Sequence, residues 1–373
     1  MKVVAAIDSF KGSMTSMEAG NAVKKGILAA KPDAEVVVNP LADGGEGTVD
    51  ALIEGLGAKK IPVTVTGPLG EKVSCYYGFL EETKSAVMEM ASAAGITLVT
   101  KKDPLRASTY GVGEMIADAL KRGCKNFIIG IGGSATNDGG IGMLKALGFE
   151  FFDEDGNDVG EGAAALAKIE VIQTENKNPL LSGAKFQIAC DVKNPLCGKQ
   201  GATYIFGPQK GVTEEQKSKV DEAMKHYADV TKESLGCDFA DCEGAGAAGG
   251  LGYAFLSYLA GELIPGVELI LQATGLEEKM KNADVVVTGE GRLDAQTVMG
   301  KAPVGVAAAG KKYNAKVIAF AGSVAPEASV CNQAGIDAFF PIVRGVTTLE
   351  EAMKKENAME NIAATAEQVF RLL

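Results

Sequence analysis

Histidine is almost missing from this sequence. His226 is the single one among 373 residues, and it lies in the charged stretch TEEQKSKVDEAMKHYADVTKE, where a solvated helix position is expected. One imidazole excludes a metal centre built on two histidines and argues against Ser-His-Asp hydrolysis, so carboxylates, amines and backbone dipoles must carry any chemistry. Positive charge is also short: 37 lysines and arginines against 48 acidic residues leave a formal charge of −11. Neither nucleic acid nor an anionic membrane would find a basic face here, and an anionic substrate must be held locally. The seven cysteines (75, 124, 190, 197, 237, 242 and 331) form no Cys-x-x-Cys pair and read as reduced thiols of a cytoplasmic protein. No apolar run approaches a membrane span. The run before Asp8 has only five residues, Val3 to Ile7, which is too short for a signal-peptide core. Repeats and low-complexity tracts are absent, and nothing in the sequence states an oligomeric order.

Glycine is plentiful, with 47 residues in a composition that is 46% hydrophobic and 23% charged. That leaves ample core material and many loops in which backbone can approach a ligand. The length exceeds what one compact core usually serves, so two α/β lobes with an active-site cleft between them are expected. Short β-branched runs alternate with helical patterns from the start: Val3 to Ile7, a helix to about Lys31, Glu35 to Val38, then a helix over Val49 to Leu56. The first helix carries the start signal Thr15-x-x-Glu18, and Ala19, Ala22, Val23, Ile27 and Ala30 share one face. The rhythm returns at the end, where 284–288, 316–321 and 338–342 read as buried strands. Both termini therefore build a Rossmann-like lobe, residues 1–65 plus 282–373. Between them, strands at 89–91, 126–130 and 186–190 are separated by glycine-rich loops and a charged insertion from Val212 to Gly236. Residues 66–281 are expected to form a second, mixed α/β lobe inserted into the first, with the turn TVTGPLG beside one boundary and Lys281 beside the other.

Three glycine motifs invite a nucleotide reading, and context separates them. GAGAAGG (244–250) contains Gly-x-Gly-x-x-Gly but follows the polar Asp-Cys-Glu instead of a strand. GVAAAGKK (305–312) imitates a phosphate-binding loop, yet Lys312 stands where Ser or Thr must bind a metal, and a helix ending at Gly310 fits better. GIGGSA (130–135) does follow a strand, with Glu150 spaced for a ribose contact. Its continuation TNDGGIG is too long and too polar for a tight dinucleotide turn and suits amides wrapped on phosphate. Polar loops follow the strands at DSFKG (8–12), DGGEG (43–47), ASAAG (91–95), GGSATNDGG (132–140), DVKNPLCG (191–198) and TGEGRLDAQT (288–297). Singly each reads as a turn, because Asp, Asn, Ser and Gly are the usual turn residues. A structural turn has no need for Lys11, Glu46, Asn137, Asp191, Glu290, Arg292 and Asp294, whereas phosphoryl transfer needs cations on phosphates, carboxylates on Mg²⁺ and a base for the hydroxyl.

The stretches IDSFKGSMTSMEA, PLADGGEGT, GIGGSATNDGG, DVKNPLCGKQGAT, GAAGGLGY and TGEGRLDAQTVMGKAPVGVA resemble the bacterial glycerate kinase family, the type distinct from the eukaryotic-like glycerate kinases. The resemblance runs from Met1 to Leu373 and implies the two-lobed fold, ATP as donor, Mg²⁺ as cofactor and D-glycerate as acceptor, with 2-phosphoglycerate the favoured product. Residue chemistry then suggests roles. The nucleotide set is Gly132, Gly133, Ser134, Thr136, Asn137, Asp138 and Gly139, in which loop amides meet the phosphates beside the positive end of a helix starting near Gly140. Lys11 would bridge to the transferring phosphoryl and Arg292 would fork the substrate carboxylate, each with a surface ion pair as the alternative. Asp8, Ser9, Ser92 and Glu290 complete the substrate set. Mg²⁺ falls to Asp43 or Glu46 together with Asp191. Asp191 also competes for the role of base, since it closes the apolar strand FQIAC, where partial desolvation would raise its pKa. Asp294 is the second choice of base, with Asp8, Asp138 and Glu290 as further alternatives. The insertion around Lys217 to Lys232 is expected to tolerate variation. Two rivals stand beside this reading: a nicotinamide-dependent oxidoreductase of a small hydroxy acid, resting on GIGGSA, and a non-enzymatic two-lobed solute-binding protein, resting on architecture alone.

Overall fold

A computed structural model describes residues 1–42 and 48–373. In chain order the strands are β1 (Lys2–Ile7), β2 (Glu35–Pro40), β3 (Lys59–Thr66), β4 (Lys72–Leu80), β5 (Ser85–Glu89), β6 (Asn126–Gly130), β7 (Glu150–Phe152), β8 (Val171–Gln173), β9 (Lys185–Ala189), β10 (Glu262–Ile264), β11 (Val285–Leu293), β12 (Lys316–Val324) and β13 (Ala338–Pro341). Helices alternate with them, so the α/β class holds. The described residues divide into a terminal unit, residues 1–42, 50–57 and 267–373, and a middle unit, residues 48–49 and 58–266.

The terminal unit is built on a five-stranded sheet of order β13-β12-β11-β1-β2 in which every neighbouring pair is parallel. Its central strands are apolar on both faces because both faces are covered. Val285 and Val287 join a core with the helix Ser16–Ala30, while Val286 and Val317 point the other way, against Gly310 of the helix Ala302–Lys312. That helix continues two residues past Gly310, where the sequence suggests a stop, because the glycine is packed on the sheet and ends nothing. Helix Ser16–Ala30 starts as expected: Thr15 Oγ1 accepts the Glu18 amide at 3.2 Å and Glu18 Oε2 accepts the Thr15 amide at 3.0 Å. Strand order reverses between β11 and β1, so the carboxyl ends of these two strands flank a switch point of the kind that binds ligands in open α/β sheets.

The middle unit has a six-stranded sheet of order β10-β9-β6-β5-β4-β3, with β5, β6, β9 and β10 parallel and β4 antiparallel to both its neighbours. Residues 59–65, expected in the terminal lobe, belong here. β3 pairs with β4 in the register Val65↔Val73, because the turn after Thr66, closed by the Gly67 amide on the Glu71 carbonyl at 2.6 Å, folds the chain straight back. The division accordingly falls at 57/58 and 266/267, not at 65 and 281. Phe127 and Phe186 stack at 4.7 Å in the core, beside Phe151, Tyr227, Tyr253 and Phe255. The charged insertion is part of that core: helix Glu214–Leu235 buries Val220, Ala223, Met224, Tyr227, Ala228 and Thr231 along one face. Only its outer face is free to vary. His226 is half-buried and hydrogen-bonds the Ile169 carbonyl at 2.7 Å, so it tethers this helix and is not the solvated position anticipated. Among the described residues no helix is long and apolar enough to cross a membrane.

Gly26 shows how closely the two helices at the chain ends pack. A Cβ there would overlap the carbonyl oxygen of Ala363 in the helix Lys355–Arg371, although Gly26 has an ordinary helical backbone. At an exposed helix position Gly→Ala gains about 1 kcal/mol. Here Gly26→Ala is expected to lose about 1–3 kcal/mol through overpacking, measured by urea unfolding; a gain would mean that the two backbones separate easily.

Candidate functional site

In the middle unit the loop after β6 is held from three directions. It is zipped to the turn after β5 by Met90 N–H on Gly130 O (2.9 Å), Ile96 N–H on Gly133 O (2.8 Å) and Ala135 N–H on Ala94 O (2.9 Å). Asp138 is fully buried, and its carboxylate accepts four hydrogen bonds: the Thr109 amide and hydroxyl at 2.8 Å each, the Gly140 amide at 3.1 Å and the Gly142 amide at 3.3 Å. Burial pushes this carboxyl above its ordinary value, and those four bonds pull it back. Asn137 Nδ2 donates to Thr203 Oγ1 at 3.0 Å, and Lys210 Nζ donates to the Thr136 carbonyl at 2.6 Å. Of the seven residues expected to hold nucleotide, Thr136, Asn137 and Asp138 are wholly buried and Ser134 and Gly139 nearly so, whereas Gly132 and Gly133 are exposed. The loop therefore offers a ligand its first two glycines on a base of fixed polar side chains.

GAGAAGG explains part of this rigidity. The Gly139 amide bonds the Gly249 carbonyl at 2.9 Å, and a Cβ on Gly249 would strike the Thr136 backbone. Gly250 lies against Gly139 Cα, and Gly246 against the Pro195 carbonyl. The run is a packing wedge that places one backbone on two loops, which is why its glycines resemble a fingerprint without serving as one. Tyr227 and Met224 of the insertion helix press on Gly139 from below. Asp191 is exposed, so the desolvation anticipated for it does not occur; its Oδ1 accepts the Gly266 amide at 2.8 Å. Ser92 closes its own turn by donating to the Glu89 carbonyl at 2.7 Å. Glu150 accepts from Asn176 at 2.8 Å and lies in the β7–β8 hairpin.

In the terminal unit the remaining candidates gather at the switch point. The Asp8 amide bonds the Gly289 carbonyl at 2.9 Å, and the space beside Gly291 opens toward Phe10 and Lys11. Asp8 is half-buried, with the Ser9 amide on its Oδ1 at 2.6 Å, while Ser9 and Lys11 are exposed. Glu290 is 8% exposed; its carboxylate accepts Thr297 Oγ1 at 2.7 Å and faces Lys301 Nζ at 3.4 Å. Burial raises its carboxyl above the ordinary value, opposed by the Thr297 hydrogen bond and the Lys301 charge. Arg292 is exposed and only loosely paired, 3.6 Å from Asp294, whose other oxygen accepts the Gln296 amide at 2.9 Å.

Asp43 and Glu46 lie outside the described residues. Among the described residues no three His, Cys, Asp or Glu side chains form a metal cage. Sequence reasoning missed Lys301, although it stands at the start of the helix Ala302–Lys312 within a motif already singled out. It also missed Thr203, the last residue of the quoted stretch DVKNPLCGKQGAT, and Thr109 and Lys210, which no quoted motif contains.

Comparison with known proteins converges on one group. A sequence model described as the glycerate kinase family matches residues 3–373. Glycerate kinase of Bacillus subtilis is 45% identical over 371 residues, covering 99% of this chain and 97% of that protein. Glycerate 2-kinase of Escherichia coli is 45% identical over 372 residues, covering 98% of each. A crystal structure from Salmonella typhimurium, described as that of a putative glycerate kinase 2, superposes with a TM-score of 0.91 at 43% identity, covering 99% of this chain and 97% of that one.

Asp138→Asn tests whether the loop depends on its buried carboxylate. One amide N–H₂ would then face a donor, with the Gly140 amide or the Thr109 pair left unmatched. Stability is expected to fall by about 1–3 kcal/mol, read by urea unfolding; an unchanged midpoint would show that the donors find other partners.

Proposed function

The chain belongs to the glycerate kinase family, and on that premise we propose that it transfers the γ-phosphoryl group of ATP to the 2-hydroxyl of D-glycerate, giving ADP and 2-phosphoglycerate. The 2-position follows the name of the Escherichia coli relative. The observation that carries the chemistry is the loop 131–140, with exposed glycines in front and, behind them, a buried base tied down through the Asp138 carboxylate, Asn137 Nδ2 and the Thr136 carbonyl. Amides fixed in this way suit phosphate oxygens because they need no rearrangement when charge arrives. Gly132, Gly133 and Ser134 meet the nucleotide, while Thr136, Asn137, Asp138 and Gly139 hold the loop.

In the terminal unit, Lys11 and Lys301 supply positive charge for the transferring group, and Glu290 with Thr297 holds Lys301 in place. Arg292, exposed and weakly paired, takes the glycerate carboxylate, with Asp8 and Ser9 for its hydroxyls. As the hydroxyl oxygen bonds to the γ-phosphorus, the bond to the β,γ-bridging oxygen breaks and the hydroxyl proton passes to a carboxylate, Asp191 or Asp294. A loose transition state asks little basicity of that carboxylate, so an exposed Asp191 is adequate. Mg²⁺ is usually held by one or two carboxylates plus waters and phosphates, so the lack of a three-ligand cage among the described residues does not count against it. Asp191 with Asp43 or Glu46 would hold it. Bound there, it neutralises charge on the phosphates. Seven cysteines without a disulfide accord with action in the cytoplasm.

Coupled ADP release with D-glycerate is expected to exceed background, with phosphorus NMR showing the 2-phosphate; no ADP above background would remove the substrate. Gly132 has ordinary backbone angles, and nothing lies within 4 Å of the point where a Cβ would stand, so Gly132→Val keeps the fold and covers the exposed amides. Its KM for ATP is expected to rise about tenfold or more at an unchanged Tm. Asp191→Asn is expected to lower kcat about 100-fold or more, and survival within a few fold would leave Asp191 neither base nor ligand.

A further inference from the structure

The helix Ala202–Lys210 grips two adjacent loop residues with its two ends. Thr203, in its first turn, receives Asn137, and Lys210, its last residue, donates to the Thr136 carbonyl at 2.6 Å. Lys210 is 2% exposed. Lysine is almost never buried so completely unless its charge is matched, and a backbone carbonyl alone could be satisfied by any neutral N–H. The charge therefore requires a reason of its own. Of the groups around it, Asp138 on the loop is the one whose charge bears on the amine. Tyr227, from helix Glu214–Leu235, has its phenol pushed far above its ordinary value by burial and stays neutral. Lys102 is exposed, with its stem against the neighbouring Gly211.

We propose that Lys210 is a positioning residue that fixes the 132–140 loop through Thr136 and gains a proton from solvent when phosphate oxygens settle on that loop. The proposal rests on the reading that this loop holds the nucleotide. In the step itself the Nζ lone pair takes H⁺ from buffer, forming one N–H bond and leaving the buffer one proton poorer. Burial pushes the Lys210 ammonium down to about 7, partly opposed by Asp138, so near neutrality the amine is divided between its two forms. A bound polyanion favours the charged form and raises that value. The sign follows: above a pH of about 7 the empty protein carries neutral Lys210 and the complex carries the ammonium, so binding takes up a proton and weakens as pH rises.

The test is calorimetry of MgADP binding to the full-length protein at about pH 8 in Tris and in HEPES, whose ionisation enthalpies differ. Uptake of a large fraction of one proton is expected; the terminal phosphate of MgADP, held deprotonated by its metal ion and by cationic groups, takes up none at this pH, and no uptake overturns the proposal. In Lys210→Met the uptake is expected to vanish, with KM for ATP about tenfold higher and KM for D-glycerate nearly unchanged. Lys210→Arg should restore much of the ATP affinity without the pH dependence, because a guanidinium stays charged. Persistent uptake in the Met variant, or equal changes in both KM values, overturns the assignment. If Gly132→Val abolishes MgADP binding while Lys210→Met leaves it unaltered, the loop reading stands and Lys210 is only structural. If Gly132→Val has no effect, the loop reading itself fails. Should the Met variant not fold, uptake by the unmodified protein decides.

Discussion

A carboxylate sealed from water organises the loop that follows β6 in the middle unit. A carboxyl group so buried is tolerable only because four donors, two of them from Thr109 and two from the start of the following helix, replace the water it has lost. These donors come from two separate stretches of chain, so satisfying one side chain fixes the path of the whole loop. The surrounding glycines follow from the same constraint. Gly139 and Gly140 adopt left-handed angles to bend the chain about the carboxylate, and Gly249 removes the side chain that would keep the packing wedge from reaching it. What is left facing outward is Gly132 and Gly133, and this division of labour could not have been assigned from a run of polar residues.

The terminal unit solves a related problem by topology. Parallel strands whose order reverses leave a gap at their carboxyl ends, and the loop after β1 runs there beside the last residues of β11. Gly322, within β12, lies against the Gly291 carbonyl of β11, where a side chain would strike that oxygen. Glu290 sits under this cluster, and its two partners include the cation that sequence reading overlooked. A carboxylate that anchors a lysine has less capacity to bind substrate itself.

Much of this was legible in the sequence where local physics decides. β1 and β11 announce themselves as β-branched runs buried on both faces, and the Thr15–Glu18 capping box starts its helix; the loop read at 288–297 is half strand, because β11 runs on to Leu293 in register with β12. The failures share another cause, since each depends on what packs against a residue. KKIPVTVT belongs to the middle sheet because of a turn that follows it. The insertion helix looks solvated until Met224 and Tyr227 are seen beneath Gly139. Asp191 ends an apolar strand yet emerges into solvent, so strand composition is a poor guide to the environment of the residue that terminates it. Asn137 and Asp138, read from the sequence as nucleotide contacts, are buried, and Asp138 spends its carboxylate on Thr109, Gly140 and Gly142.

A protein of net charge −11 that binds a triphosphate has to place positive charge close to the ligand without holding it, buried and unmatched, in the empty state. An exposed lysine avoids the burial cost but is screened and mobile. A buried arginine would stay charged at all times and demand permanent compensation. A buried lysine near its neutral point occupies the ground between: its hydrogen bond to Thr136 survives in either protonation state, because the neutral amine still donates. The loop therefore keeps its shape while empty, and the full charge develops only when an anion makes it favourable. That behaviour is open to lysine and not to arginine, and it gives the buried amine behind the loop a physical reason to be there.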